Sequence, residues 1–230
     1  CFPTFGIVAE EAGLTVTCTH PTLDIWFTVD PLDGTKAFIR QQSHGIGTMI
    51  ALVIDGVVAS AYVGDVMTGE IYGMRPESDK VHRTTEQGQN VQLGFARRSL
   101  RDQCLMLRSG PASYSEGIQR LARPQNDGGL FKDILVDDGS IGTSTARLWK
   151  GEVGAMILKP GPSTPWDLCP ILGISQRLGF RFLKIDPDGL LREANLRPRK
   201  ETQPVDYEML IVHEHHVSPT LPIGCRTLIP

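Results

Sequence analysis

The sequence predicts an α+β fold made of two packed lobes. Its first half contains consecutive short strands separated by turn residues, a pattern typical of an antiparallel sheet. Its second half alternates helical and strand-like segments. With 230 residues, of which 40% are hydrophobic and 21% charged, the chain can bury a large core. We therefore expect an antiparallel-sheet lobe over residues 1–95 and an α/β lobe over residues 96–230.

The run Ile25–Val29 predicts a strand, because it consists of β-branched and aromatic residues. It is followed by Asp30 and Pro31, and proline cannot donate a ladder hydrogen bond. We therefore expect the hexapeptide of residues 30–35, Asp-Pro-Leu-Asp-Gly-Thr, to form a loop at the carboxyl end of this strand.

An antiparallel meander is predicted to follow. The runs Thr48–Ile54 and Val57–Val63 flank Asp55-Gly56, which favours a hairpin turn. Glu70–Met74 predicts a third strand. Residues 76–92 are polar and indicate a surface connection.

The second half shows the alternating pattern that distinguishes it from the first. Helical spacing of apolar residues and strand-like runs can be assigned to successive segments. The predicted order is a helix over 113–123, a strand over 131–136, a helix over 141–150, a strand over 153–158, a loop over 160–165 and a helix over 166–178.

Composition and charge narrow the class of partner. A net charge of −3 does not favour binding to a nucleic acid polymer. No apolar run reaches the roughly 18 residues that a membrane helix needs. Five cysteines are scattered without metal-binding spacing, as expected for reduced thiols. We therefore expect a cytoplasmic protein that binds a small molecule.

The hexapeptide contains residue types that can bind a cation and an anion. Asp30 and Asp33 place two carboxylates on one short segment, and a divalent cation with a preference for oxygen removes their repulsion. Mg²⁺ is the natural choice. Exposed N–H groups at Gly34 and Thr35 would form an anion site. The alternative interpretation is an acidic turn that caps a helix.

Three motifs resemble those of the inositol monophosphatase family, which includes fructose bisphosphatases, bisphosphate nucleotidases and histidinol phosphatases. They are Ala9-Glu10-Glu11, the segment Trp26–Phe38 and Trp166-Asp167, and Glu10 lies twenty residues before Asp30 as in family members. The resemblance implies a layered αβαβα sandwich. It also implies small phosphorylated substrates and hydrolysis by a metal-activated water.

The resemblance implies a set of ligands for two or three Mg²⁺ ions. All are oxygen donors, four carboxylates and one backbone carbonyl, the last being that of Leu32. The implied ligands are Glu10, Asp30, Leu32, Asp33 and Asp167.

The resemblance also implies roles in catalysis and in phosphate binding. Glu10 and the Thr35 hydroxyl would orient and deprotonate the attacking water, and Asp33 completes the implied catalytic set. The N–H groups of Gly34 and Thr35 would hold the phosphate.

Gly139 and Ser140 are similar to a family segment that contacts substrate hydroxyl groups. Ser140 precedes a predicted helix, so a plain N-cap explains it equally well. Both interpretations stay open from the sequence.

The chain departs from the family at its start. Relatives carry N-terminal helices and a Thr-x-x-Asp segment before the Glu-Glu motif, and we expect these to be missing here. Either the chain is a fragment, or its water-activating machinery is incomplete.

The expected substrate is an inositol phosphate, a 3',5'-bisphosphate nucleotide or histidinol phosphate. The alternative is a catalytically impaired member that binds a phosphometabolite or a protein. Many relatives are homodimers, so a homodimer is expected.

Overall fold

The computed structural model describes residues 2–186, 190–218 and 228. An eight-stranded sheet runs in the order β2-β1-β3-β4-β5-β6-β7-β8. Its strands are β1 (Gly6–Ala9), β2 (Thr15–Val16), β3 (Ile25–Asp33), β4 (Gly47–Ile54), β5 (Val57–Asp65), β6 (Glu70–Met74), β7 (Val81–Thr84) and β8 (Asn90–Gln92).

A six-stranded sheet and a two-stranded pair come from the later part of the chain. Their strands are β9 (Cys104–Leu107), β10 (Asp133–Val136), β11 (Val153–Leu158), β12 (Gly161–Ser163), β13 (Phe180–Ile185), β14 (Leu191–Glu193), β15 (Gln203–Val205) and β16 (Met209–His213). The six-stranded order is β10-β9-β11-β16-β13-β14, and β12 pairs with β15.

The helices are short, and two of them form a layer between the sheets. They are α1 (Thr35–Ile39), α2 (Glu116–Leu121), α3 (Ile141–Trp149) and α4 (Pro165–Arg177). Residues of α3 and α4 share one core with both sheets, whereas α2 packs on the far side of the six-stranded sheet. None of the helices in the described part of the chain combines the length and hydropathy that crossing a membrane requires.

Side-chain alternation along β9 explains this layering. Met106 points into the core shared with α3 and α4, while Leu105 and Leu107 point into the core that contains α2. Successive side chains of a strand face opposite sides of the sheet. The six-stranded sheet is therefore apolar on both faces, and the layers are sheet, helices, sheet, helix.

The structure confirms the Asp55-Gly56 hairpin and the helix after Ser140, and it corrects several boundaries. Residues 76–92 are not only a connection, because β7 and β8 lie there and extend the sheet. Most residues of these two strands are polar, as is common for strands near an exposed sheet edge. The predicted helix over 113–123 is confined to α2.

Three further corrections concern strand pairing. The first sheet is not wholly antiparallel, because β1 pairs in parallel with β3. The hexapeptide is not wholly a loop, since β3 continues to Asp33 with an irregular register. The predicted loop over 160–165 contains β12.

A buried hydrogen bond joins α3 to α4 within the helix layer. The indole N–H of Trp149 donates to the hydroxyl of Ser175 at 2.8 Å, and both residues are buried. We expect Ser175→Ala to lower the free energy of unfolding by about 1–3 kcal/mol, because the indole N–H loses its partner. Urea denaturation measures this change.

Trp149→Phe provides the matched background, since it removes the N–H itself. The cost of Ser175→Ala should be smaller in this background than in the wild type. Equal costs in the two backgrounds would contradict the assignment.

Candidate active site

Three carboxylates from two elements meet at one end of the helix layer. Asp30 and Asp33 belong to β3, and Asp167 lies in the first turn of α4. One carboxylate oxygen from each lies within 4.8 Å of those of the others. The structure therefore brings together three of the four carboxylates that the sequence analysis assigned to a metal site.

An irregularity in β3 explains why two of these side chains share one face. Asp30 pairs with Met49 and Asp33 with Gly47, so three steps on β3 match two on β4. In a regular strand, residues three apart point to opposite faces, and one extra residue cancels this alternation. Both carboxylates are consequently buried, with relative exposures of 1% and 7%. The N–H of Leu32 turns back to donate to Asp30 Oδ1 at 3.0 Å.

The carboxylate of Asp33 accepts three hydrogen bonds at the N-terminus of α3. The N–H groups of Ile141 and Gly142 donate to it at 3.2 Å and 2.8 Å. The hydroxyl of Ser140 donates the third bond. An anion here satisfies N–H groups that the helix leaves unpaired and is favoured by the helix dipole. Asp33 therefore caps α3 and ties β3 to the helix layer.

Ser140 is itself the N-cap residue of α3. Its hydroxyl accepts a hydrogen bond from the N–H of Thr143 at 3.0 Å, and its own N–H donates to the carbonyl of Gly45 at 2.7 Å. The N-cap role that the sequence left open is therefore present. Contact of Gly139 and Ser140 with a substrate stays a prediction.

Glycines allow the backbones beside Ser140 to approach closely. A Cβ at Gly34 would lie 2.1 Å from the carbonyl oxygen of Gly45, and one at Gly139 would lie 2.6 Å from the Cα of Gly45. Gly34 also has a φ of +88°, which disfavours other residues. Side chains at these positions would push the hexapeptide away from α3.

Arg108, directly after β9, fixes the segment that leads into α3. Its guanidinium donates to the carbonyl of Asp137 at 2.9 Å and to that of Ser140 at 3.4 Å. Further bonds reach the Gly139 carbonyl and the Ser144 hydroxyl. The role of Arg108 was not predicted from the sequence, because an arginine bound mainly to backbone carbonyls leaves no side-chain pattern.

Asp167 is placed by the start of α4. The hydroxyl of Thr164, the N-cap position of that helix, donates to its carboxylate at 2.6 Å. A carboxylate in a first helical turn is stabilised by the helix dipole. Pro170 lies inside α4, yet the helix continues to Arg177.

Burial makes the three carboxylic acids hard to ionise. The pKa of Asp30 is raised to about 8. Burial is the largest cause, and the negative charge of Asp33 is the second. Burial raises the pKa of Asp167 to about 6, although the hydrogen bond from Thr164 and the charge of Arg108 oppose it. Burial also raises the pKa of Asp33 against its hydrogen bonds from α3. A cation that prefers oxygen ligands would relieve this cost, so the donor set fits Mg²⁺.

Glu10 lies at the rim of the same cluster. Its N–H donates to the carbonyl of Val29 at 3.1 Å, which places it beside the end of β3. The negative charge of the Glu10 side chain helps to raise the pKa of both Asp30 and Asp167. Glu10 is exposed, in contrast to the carboxylates of Asp30 and Asp33.

Leu32 and Thr35, the remaining candidates, contact each other. The Thr35 hydroxyl donates to the Leu32 carbonyl at 3.2 Å. Thr35 begins α1, and Gly34 precedes it. The roles of these groups in binding metal, water and phosphate stay predictions.

The fold and the site together define a layered α+β protein with an acidic cluster that can bind a metal ion. The sequence profile of the inositol monophosphatase family matches residues 1–210. The chain therefore belongs to the inositol monophosphatase family.

Solved structures show the same layered fold and confirm the predicted fold class. The dual specific IMPase/NADP phosphatase bound with D-inositol-1-phosphate is 16% identical, with 98% of this chain and 79% of that chain covered and a TM-score of 0.66. For inositol monophosphatase-II from Staphylococcus aureus MSSA476 the values are 19%, 92%, 71% and 0.62. For the extragenic suppressor protein SuhB from Bartonella henselae they are 19%, 93%, 74% and 0.62. No curated protein matches the chain.

The raised pKa of Asp30 predicts how stability depends on pH. In the unfolded chain an aspartate has a pKa of about 4, whereas Asp30 in the folded protein has a pKa of about 8. The stability supplied by this bound proton is complete below the unfolded value and is lost as the pH rises through the folded one. In EDTA, the melting temperature should therefore fall by about 5 °C or more between about pH 5 and about pH 9.

Added Mg²⁺ should reverse this loss, with a larger rise in melting temperature at the higher pH, because the ion takes the place of the proton. Differential scanning fluorimetry of the wild type, Asp30→Asn and the exposed control Asp127→Asn measures both effects. A Mg²⁺ response that Asp30→Asn leaves unchanged would contradict the assignment.

Proposed function

We propose that the protein is a Mg²⁺-dependent phosphomonoesterase that hydrolyses a small phosphorylated metabolite. The observation that carries the proposal is the cluster of Asp30, Asp33 and Asp167, whose oxygens lie close together in a buried setting. Membership of the inositol monophosphatase family supports a phosphatase, and one solved relative is bound with D-inositol-1-phosphate. The candidate substrates are an inositol phosphate, a 3',5'-bisphosphate nucleotide and histidinol phosphate.

The proposed metal site would hold two or three Mg²⁺ ions. When bound, the ions would neutralise charge on the phosphate and make a nearby water more acidic. The proposed ligands are oxygen atoms of Glu10, Asp30, Leu32, Asp33 and Asp167.

The protein would position and deprotonate the attacking water. The Thr35 hydroxyl donates to the Leu32 carbonyl, so its oxygen retains lone pairs that accept a hydrogen bond from water. Glu10, exposed at the rim, would accept the proton. The water oxygen forms a bond to phosphorus while the bond to the alcohol oxygen breaks, and the alcohol leaves with a proton from solvent.

Phosphate and substrate would be held by backbone groups and by α3. The N–H groups of Gly34 and Thr35 would bind phosphate oxygens. Gly139 and Ser140 would contact the alcohol part. Asp33 would act with its carboxylate held in one orientation by α3, an arrangement that favours catalysis because no reorganisation is needed.

We also propose a cytoplasmic homodimer. The scattered cysteines support a reducing compartment, and Cys18, Cys104 and Cys169 are free thiols. Cys1 and Cys225 lie outside the described residues. Light scattering of the purified protein measures the oligomeric state, and a monomer at all concentrations would contradict the homodimer.

Loss of a metal-site carboxylate should strongly lower activity without unfolding the protein. We expect Asp30→Asn and Asp167→Asn each to lower kcat/KM by at least about 10²-fold, since each removes charge stabilisation at the reacting phosphate. The assay is phosphate release from the three candidate substrates with and without Mg²⁺. Asp127→Asn, an exposed site, should retain wild-type activity.

Two outcomes would contradict the proposal. Mg²⁺-dependent turnover that survives Asp30→Asn would exclude the assigned site. Absence of turnover by the wild type on every substrate would favour the alternative function, a catalytically silent member that binds a phosphometabolite or a protein partner.

A further inference from the structure

A cavity of about 330 Å³ lies at the end of α4 that is remote from the acidic cluster. Leu172 and Gln176 of α4 line it, and Gln176 follows Asp167 by nine residues, or about 14 Å along the helix axis. Further walls come from β13 and from the segment after β14. The volume is within the range of ligand pockets, roughly 300–1,000 Å³. The cavity is thus separate from the proposed metal site and large enough for a small molecule.

An unpaired stretch of the sheet edge borders this cavity. Strand β14 pairs only with residues 183–185 of β13, and the Ala194 N–H donates one further bond along this edge, to the Phe182 carbonyl at 2.9 Å. In an antiparallel strand the N–H and C=O of one residue point to the same side, and those of the next residue point to the other. The Phe182 N–H and both backbone groups of Phe180 therefore point to this open edge.

The open edge offers a donor and an acceptor side by side. No hydrogen bond between described residues pairs the Phe182 N–H or the Phe180 C=O on this edge. Phe180 and Phe182 are only 4% and 5% exposed, and buried backbone groups are nearly always paired with protein, water or a ligand. The C=O of one residue and the N–H two residues later are neighbours on a strand edge. One planar group with an adjacent donor and acceptor can therefore pair with both.

One cation in the wall is available to bind an anion. The Arg181 guanidinium is occupied, because it donates to the Glu193 carboxylate at 2.7 Å and lies 3.7 Å from that of Glu214. Arg197 is exposed and also lines the cavity. In the described part of the chain, no carboxylate lies within salt-bridge distance of Arg197. Its planar guanidinium matches a carboxylate, and the two nearby glutamates disfavour a doubly charged anion.

Apolar and amide side chains complete the walls. Leu172 and Leu196 offer apolar surface, and the amides of Gln176 and Asn195 add hydrogen-bonding groups. Ligand pockets commonly combine apolar walls with a few polar groups that fix orientation. The cavity therefore has a surface for a flat ring, a donor and acceptor pair for one end of a ligand, and a cation for a negative charge.

We infer that this cavity is a second binding site, separate from the carboxylates, for a small carboxylate with a flat body and an amide-type edge. The donor of that edge binds the Phe180 C=O, its acceptor binds the Phe182 N–H, and the carboxylate binds Arg197. Heterocyclic amides and primary carboxamides that carry a carboxylate have this chemistry. The site is independent of the proposed phosphatase reaction, since none of the proposed metal ligands lines it.

A probe with this chemistry, 4-carbamoylbenzoate, tests the inference. Its ring carries a carboxamide and a carboxylate, whereas benzoate lacks the carboxamide and benzamide lacks the carboxylate. Titration of the wild type in EDTA, followed by NMR, should give a Kd on the order of 1 mM for the probe. Benzoate and benzamide should each bind at least about fivefold more weakly, because each loses one hydrogen-bonding group.

Phenylalanine labelled with ¹⁵N locates the bound probe. Phe182 is preceded by arginine and Phe38 by alanine, and no other phenylalanine has either neighbour. A ¹³C-carbonyl label on arginine or alanine therefore identifies each amide signal. The Phe182 signal should shift on addition of the probe, because its N–H gains an acceptor. The signal of Phe38, which lies in α1 close to the hexapeptide, should not shift. A shift of Phe38 without one of Phe182 would overturn the inference.

Variants separate this site from the acidic cluster. Arg197→Ala should weaken probe binding by about tenfold and leave benzamide within about twofold of the wild type, because only the probe has a carboxylate to lose. Arg98→Ala, an exposed arginine outside the cavity wall, is the matched control and should change neither Kd. Asp30→Asn should leave probe binding unchanged, so a failure of the proposed phosphatase function does not affect this result. Equal probe affinity in the wild type and Arg197→Ala, or no binding of the probe, would overturn the inference.

Discussion

The hydrogen bonds between the Asp33 carboxylate and the N-terminus of α3 hold the parts of the site together. They join β3 of the eight-stranded sheet to a helix that packs against both sheets. The close approach of Gly34 and Gly45 permits them, and Arg108 fixes the segment that supplies the N–H groups. Asp30 lies on the same irregular strand, so anchoring Asp33 also sets its position relative to Asp167.

This arrangement places three carboxylates close together in a largely buried environment, where charged groups destabilise the folded protein. Asp30 and Asp33 are almost completely buried, and burial raises the pKa of Asp30, Asp33 and Asp167 alike. Acids perturbed in this way in a cleft are typical of functional sites. Burying these carboxylates destabilises the folded protein, and a bound cation would remove this destabilisation. The low stability of the metal-free site is thereby linked to its proposed chemistry.

Local signals in the sequence predicted several of the helices and turns correctly. The Asp55-Gly56 turn and the apolar spacing after Trp166 act over a few residues and were read correctly. The bond between Ser140 and Asp33 spans 107 positions, so no local pattern reveals it. Strands β7 and β8 were missed because most of their residues are polar, and Arg108 was missed because its partners are mainly backbone carbonyls.

Anomalous diffraction from crystals soaked in MnCl₂ would locate a metal ion at the acidic cluster, because Mn²⁺ shares the oxygen preference of Mg²⁺ and is visible near its absorption edge. We expect an anomalous peak whose nearest protein atoms are carboxylate oxygens of Asp30, Asp33 and Asp167. A saturated crystal with no peak between these three side chains would contradict it.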